Sequence, residues 1–348
     1  MRLKAGRLGA VALLAVCVGA APAMAKTLVY CSEGSPENFT PAINTTGTSF
    51  DAARPMYDQL VIFERGTTKV VPGLAESWTV SADGRRYTFT VRAAARWSNG
   101  DRLVAEDFAH AFRRLVNPAT ASQYALMLEP VVNASDIVAG RRPPESLGVS
   151  APDEATLIVR LAEPSPYFIA MLSHPSTFPV HRPTLAARPQ EFARPGVAVT
   201  NGAFTPSAWE IGSHIVALRN KQYWNDAANR LDAVRYVHVA DPVNELTRFR
   251  AGDLDVTYTV PPGEVARLEK ERPGQLRIAP HVGVYYYGLA LDLPPFDLAL
   301  SVVLQGFRAR LENTDRGEAQ ALIARAIEAI EAASAISRPG DTTKPASA

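Results

Sequence analysis

Six histidines are the side chains best suited to acid, base or metal chemistry in this 348-residue sequence: His110, His174, His181, His214, His238 and His281. None falls at ligand spacing with another, and no His-Glu-x-x-His pair or Gly-x-Ser-x-Gly elbow is present. His174 sits in Ser173-His174-Pro175-Ser176-Thr177, where a serine neighbours an imidazole. Neighbours in sequence rarely reach the geometry of a nucleophile and its base, so the string is read as structural. A secreted hydrolase is the weakest class of function for this chain. No metal, cofactor or catalytic residue is expected.

The elements that position side chains are easier to read. Trp78-Thr79-Val80 and Tyr87-Thr88-Phe89-Thr90-Val91 are β-rich runs around Asp83-Gly84, a hairpin turn signal. Trp97-Ser98-Asn99-Gly100 predicts a second turn, and Ala105-Glu106-Asp107-Phe108 opens a helix with Phe108, Phe112 and Leu115 on one face. Strands are predicted over Lys26 to Cys31, Thr156 to Val159, Ile215 to Leu218 and Val234 to Val239. Ser32 to Ser49, rich in Gly, Pro, Asn and Thr, reads as loop. Pro242 to Gly252 reads as a helix ended by its glycine, followed by a strand over Asp253 to Tyr258. Trp78, Trp97 and Trp224 are core candidates, because large aromatics dominate buried area. The mixture indicates an α/β or α+β fold.

The string Pro72-Gly73-Leu74-Ala75-Glu76-Ser77-Trp78, continued through Ser81-Ala82-Asp83-Gly84, Trp97-Ser98-Asn99-Gly100 and Ala105-Glu106-Asp107-Phe108, closely resembles the signature of family 5 periplasmic binding proteins, the peptide receptors of ABC importers. The opening from Lys26 to Glu37 is similar to the dipeptide-binding branch. Arg114 to Ser122, His174 to Thr177, Thr200 to Phe204, Gln222 to Asn225 and Tyr285-Tyr286-Tyr287 resemble the oligopeptide-binding branch. Pro294-Pro295-Phe296 closes the match.

The resemblance implies a periplasmic binding protein type II-like fold, incomplete, with a discontinuous first domain and an inserted hairpin-rich lobe. Expected bounds are a signal peptide over 1–25 and a first domain from 26–57 and 182–282. The inserted small lobe would take 58–181, the start of a second large lobe 283–297, and a divergent tail 298–348. Past Phe296-Asp297 the sequence departs from the family, which continues there for a further lobe. The tail carries Ile323, Ile327 and Ile330 at helical spacing.

In the family, main-chain groups pair with an extended peptide as in strand addition, giving affinity without sequence preference. The resemblance places Thr46, Gly47, Thr48 and Ser49 beside that peptide, where a glycine lets another chain approach closely. It brings Tyr124 into the cleft from the small lobe, with Trp209 and Tyr286 as further contacts. Gly283 stands where oligopeptide-type relatives carry a disulfide cysteine, and Gly288 where they carry Glu. Implied partners are an oligopeptide or dipeptide ligand and an inner-membrane ABC permease, with the chain a monomer. The other reading is a truncated or repurposed, non-transporting relative acting through protein interaction.

Export is read independently of the resemblance. Arg2, Lys4 and Arg7 precede an apolar run from Leu8 to Ala20, and Ala23-Met24-Ala25 supplies a small-residue cleavage pattern. Cleavage after Ala25 and a periplasmic mature chain follow as expectations. With those three cations set aside, the 36 Lys and Arg become 33 against 35 Asp and Glu. That balance argues against nucleic acid, which leaves a basic footprint. Cys31 is then the one cysteine left, expected as a small buried residue in the first strand.

Overall fold

A computed structural model of the chain describes residues 26–261 and 263–278. The signal peptide, Gly283, Tyr286, Gly288, the stretch 283–297 and the tail 298–348 lie outside the described residues.

In chain order, strand β1 (Thr27–Ser32) leads to helix α1 (Gly47–Ala53), the hairpin β2 (Val61–Phe63) and β3 (Val70–Pro72), and the hairpin β4 (Ala75–Val80) and β5 (Arg86–Val91). Helices α2 (Ala105–Val116) and α3 (Ala134–Val138) precede β6 (Val149–Ser150) and β7 (Thr156–Arg160). Helices α4 (Phe168–Met171) and α5 (Arg182–Ala187) lead to β8 (Phe204–Glu210), β9 (His214–Arg219) and β10 (Ala233–His238), then α6 (Pro242–Ala251) and α7 (Val265–Glu271).

The strands make two four-stranded sheets, besides the two-stranded antiparallel pair β2–β3. One runs β4-β5-β7-β6 and is antiparallel throughout. Its hairpin turns where the pattern predicts: Gly84 takes φ +69°, a left-handed conformation a glycine adopts freely, and its N–H donates to the Ser81 carbonyl at 2.9 Å. Tyr87, Phe89 and Val91 alternate inward along β5, as Leu157 and Val159 do along β7. Phe108, Phe112 and Leu115 of α2 are fully buried in the same core, each contributing about 1.5–3 kcal/mol of apolar burial.

The other sheet runs β1-β10-β9-β8. Strand β1 lies parallel to β10 although most of the chain passes between them, and the remaining pairs are antiparallel. Tyr30 pairs with Tyr236 in register, and their rings meet edge-on at 5.5 Å. Phe39, Met56, Tyr57, Phe178 and Phe204 build the core on this sheet.

Several expectations change on detail. The loop after β1 ends at Thr46, because that residue caps a helix starting at Gly47. The strand expected over Asp253 to Tyr258 reduces to a bridge between Val256 and Tyr30. The buried Glu245 carboxylate of α6 takes the N–H groups of Tyr258 and Thr259, which draws the chain away from β1 after two residues. Helix α6 forms as read, with Asp241 accepting the Asn244 N–H at 2.7 Å and Gly252 closing it at φ +87°. Trp97 is buried at 1% exposure, whereas Trp78 and Trp224 are only partly covered. Cys31 is buried, and burial followed by a hydrogen bond with Glu245 pushes its thiol up to about 12. No described helix is long and apolar enough to cross a membrane.

Candidate ligand-binding site

The first turn of α1 is built by hydroxyl groups. Thr46 is extended, and its Oγ1 accepts the Ser49 N–H at 3.3 Å, an N-cap that sets the helix start. The Thr46 hydroxyl donates to Ser49 Oγ at 2.9 Å, the Thr48 hydroxyl to Thr46 Oγ1 at 3.2 Å, and the Glu37 N–H to Ser49 Oγ at 3.0 Å. Ser49 is fully buried and fixes the turn from inside. Gly47 is exposed, and a Cβ added there would meet nothing within 4 Å. An open glycine backbone therefore sits on a turn that its neighbours hold rigid.

Tyr124 reaches the same helix from the segment after α2. Asn117 caps the 3-10 turn Pro118–Thr120, Ala121 adopts φ +52°, and the Ser122 hydroxyl donates to the Ala42 carbonyl. The chain is thereby tied to the loop preceding α1. The Tyr124 ring lies 5.5 Å from Phe50 and 4.5 Å from His174, and Phe50 and His174 are 5.1 Å apart. The tyrosine is half-buried, and its hydroxyl makes no hydrogen bond to another described residue.

His174 Nδ1 accepts the Ser176 N–H at 3.2 Å and the Ser176 hydroxyl at 2.8 Å. A nitrogen that accepts a main-chain N–H carries no proton of its own. Burial, and then Arg54, push this imidazole down to about 4, so the ring is neutral at neutral pH. Ser176 is 2% exposed, and the Ser173 hydroxyl donates to the Ala170 carbonyl at 2.7 Å. The serine–histidine contact is a cap, with no nucleophile open to a substrate.

Charge around α1 is sparse. Burial pushes the Asp51 carboxyl up, and Arg54, 3.8 Å away, pulls it down. The Tyr30 hydroxyl is pushed up to about 12, by burial first and then by Asp51. Among the described residues no group of three His, Cys, Asp or Glu could hold a metal ion.

Trp209 lies apart from this cluster, on β8, where its ring packs edge-on against Phe39 at 5.0 Å. Its Nε1 is buried without an acceptor among the described residues. The structure thus brings Tyr124 to the helix that Thr46–Ser49 begins, and leaves Trp209 partly buried against the core of the β1-β10-β9-β8 sheet. Phe50 and His174 complete the aromatic cluster and were missed by sequence reasoning. The string His174-Pro175-Ser176-Thr177 was the available signal, since a motif shared with binding proteins marks more than a surface histidine.

A sheet that takes β1 from before the hairpin-rich lobe and β8–β10 from after it is the architecture of type II periplasmic binding proteins. The chain belongs to the bacterial extracellular solute-binding proteins, family 5, whose middle region matches residues 69–299. It is 38% identical over 229 residues to the periplasmic oligopeptide-binding protein OppA of Escherichia coli K12, covering 65% of this chain and 42% of that one. It is 36% identical over 270 residues to the probable deoxycholate-binding periplasmic protein YgiS of the same organism, covering 77% and 50%. The crystal structure of Haemophilus influenzae OppA in complex with RPPGFSPFR matches with a TM-score of 0.76 at 33% identity, over 81% of this chain and 56% of that one. The chain spans about half the length of the curated relatives it matches.

Proposed function

We propose that this chain is the peptide-binding component of an ABC peptide importer, exported to the periplasm with cleavage after Ala25. The observation that carries the reading is the exposed Gly47 main chain on a rigid turn, one helical turn from the cluster of Phe50, Tyr124 and His174. An open backbone offers sequence-independent hydrogen bonds to an extended peptide, and an aromatic ring beside it supplies contact area. Thr46, Gly47, Thr48 and Tyr124 line the site in this reading, and Ser49 holds it. Trp209 and Tyr286 are assigned a secondary place. The ligand is an oligopeptide or dipeptide, the onward partner an inner-membrane permease, and no cofactor takes part.

Domain bounds of 26–57 with 182–282, and 58–181 for the inserted lobe, go with this proposal. They are supported by the way the two sheets divide the chain.

Native mass spectrometry of the protein purified gently from a periplasmic extract tests the reading. A chain starting at Lys26 and heavier by the mass of a short peptide is expected. A bare chain that takes up no peptide on titration would overturn the proposal and favour a role in protein interaction.

A further inference from the structure

The imidazole of His174 has one nitrogen engaged and one left over. Nδ1 accepts the Ser176 main-chain N–H at 3.2 Å and the Ser176 hydroxyl at 2.8 Å. A neutral imidazole carries a single proton, and the bond that one nitrogen accepts fixes that proton on the other. The proton of His174 therefore sits on Nε2. This N–H meets no acceptor among the described residues, and on a half-buried side chain it is open to solvent, unlike His238 Nδ1, which is sealed without a partner.

The ring is not free to turn the donor elsewhere. The His174 N–H donates to the Met171 carbonyl at 3.0 Å, and the His174 carbonyl accepts the Thr177 N–H at 3.0 Å and the Thr177 hydroxyl at 2.8 Å. Reversing the imidazole on this pinned main chain would set a carbon against the Ser176 N–H. Tyr124 lies across the ring at 4.5 Å with 34° between the planes, and Phe50 meets it edge-on at 5.1 Å and 76°. With those sides covered, the edge presented outward is Nε2–H.

The charges nearby narrow the kind of acceptor that fits. Burial and then Arg54 keep the imidazole neutral at neutral pH, so the donor is uncharged. Arg54 has Asp51 at 3.8 Å and shares a concavity with Asp58, which leaves no call for an anion. What the histidine lacks is a neutral acceptor, and an amide carbonyl is one. Gly47 and Phe50 are three residues apart on α1 and so lie on one side of that helix, which sets the donor beside the open backbone.

We propose that His174 is a ligand contact, its Nε2–H donating to a main-chain carbonyl of an extended peptide that runs past Gly47 and Tyr124. The inference rests on the peptide-receptor reading and adds to it a side-chain donor for the peptide backbone. Every peptide bond carries a carbonyl, so this contact gives affinity without preference among side chains. It discriminates only against a ligand whose acceptor at that point is missing or weak.

The test titrates the full chain by calorimetry with trialanine and with its two forms in which one peptide carbonyl oxygen is replaced by sulfur, a weaker acceptor. One of the two sulfur forms is expected to bind the parent about three- to tenfold more weakly than trialanine. His174→Asn keeps an acceptor for the Ser176 N–H and removes the Nε2–H, so in that variant the sulfur penalty should vanish. In the parent labelled with ¹⁵N-histidine, the His174 Nε2–H signal should move when trialanine binds. Equal affinity of the parent for all three peptides, or a sulfur penalty that persists in His174→Asn, overturns the proposal and leaves the receptor reading standing. Should the variant not fold, the parent's spectrum decides, and an Nε2–H signal unmoved by bound trialanine overturns the proposal. Failure of trialanine to bind the parent at millimolar concentration overturns the receptor reading and this contact together.

Discussion

The Tyr124 ring lies 4.5 Å from the His174 imidazole, centroid to centroid, and both rest against Phe50 of α1. One aromatic cluster thus joins the segment after α2, the segment after α4 and the helix whose first turn exposes Gly47. In this cluster Tyr124 is a packing residue on its ring and an open group at its hydroxyl.

Two substitutions separate those roles. Tyr124→Ala should lower stability by about 1–2 kcal/mol, since a half-buried aromatic contact is lost. Tyr124→Phe should keep the urea midpoint of the parent, because no described residue hydrogen-bonds the hydroxyl. A peptide affinity that falls in Tyr124→Phe would place the hydroxyl on the ligand. Equal affinity in Tyr124→Phe and parent would restrict the residue to packing.

His174 should make stability depend on pH. Its folded pKa of about 4 lies below the unfolded value of about 6.5, so between those values the unfolded chain binds the extra proton. The contribution is fully present above about pH 6.5 and is lost as pH falls towards about 4, by about 2 kcal/mol once solvent screening is allowed for. Urea midpoints at pH 7 and pH 4.5 check this: the parent should lose more than His174→Gln across the interval. Equal losses would show that the imidazole does not carry the effect.

Gly202 should tolerate no side chain. A Cβ there would stand 2.5 Å from the Met56 carbonyl carbon and 2.6 Å from the Pro55 oxygen, both main-chain atoms. The position is pinned further, as its carbonyl accepts Asn220 Nδ2–H at 2.8 Å and the neighbouring Asn201 amide bonds Asp58 through the main chain. Gly202→Ala should cost about 2–4 kcal/mol by forcing the strand from the loop, read as a lowered urea midpoint.

Asp107 holds the start of α2 to the rest of the chain. Its buried carboxylate accepts from the Trp97 indole at 3.1 Å, the Val104 N–H at 3.0 Å and Arg182 Nε at 2.8 Å. Asp107→Ala should destabilise by about 3 kcal/mol, because the buried indole N–H and the Arg182 guanidinium lose their acceptor together. Asp107→Asn should recover part of that loss in the same denaturation experiment. Two substitutions of equal cost would assign the effect to packing alone.

How far the sequence could be read depends on how local each signal is. The Asp83-Gly84 hairpin, the buried face of α2 and the capped helix ending at Gly252 were legible, since each is set by dihedral preference or periodicity within a few residues. Thr46–Ser49 read as loop because its composition is that of a turn, although the same hydroxyls serve as a helix cap. The strand expected after Gly252 failed at Glu245, a buried carboxylate whose claim on the Tyr258 and Thr259 amides has no mark in the local pattern.

The sequence by itself determined the family, through motifs long enough to be specific, and with it the class of fold. It also singled out Thr46–Ser49, which it read as loop and which the structure makes the cap and first turn of α1. Tertiary structure alone decided that Phe50, Tyr124 and His174 share one cluster, that Asp58 faces Trp224, and that Gln59 Oε1 is buried without a partner among the described residues. Those outcomes rest on contacts between segments far apart in the chain. They are settled by which side chains fill a common core and which polar atoms find partners there, and no local preference encodes that.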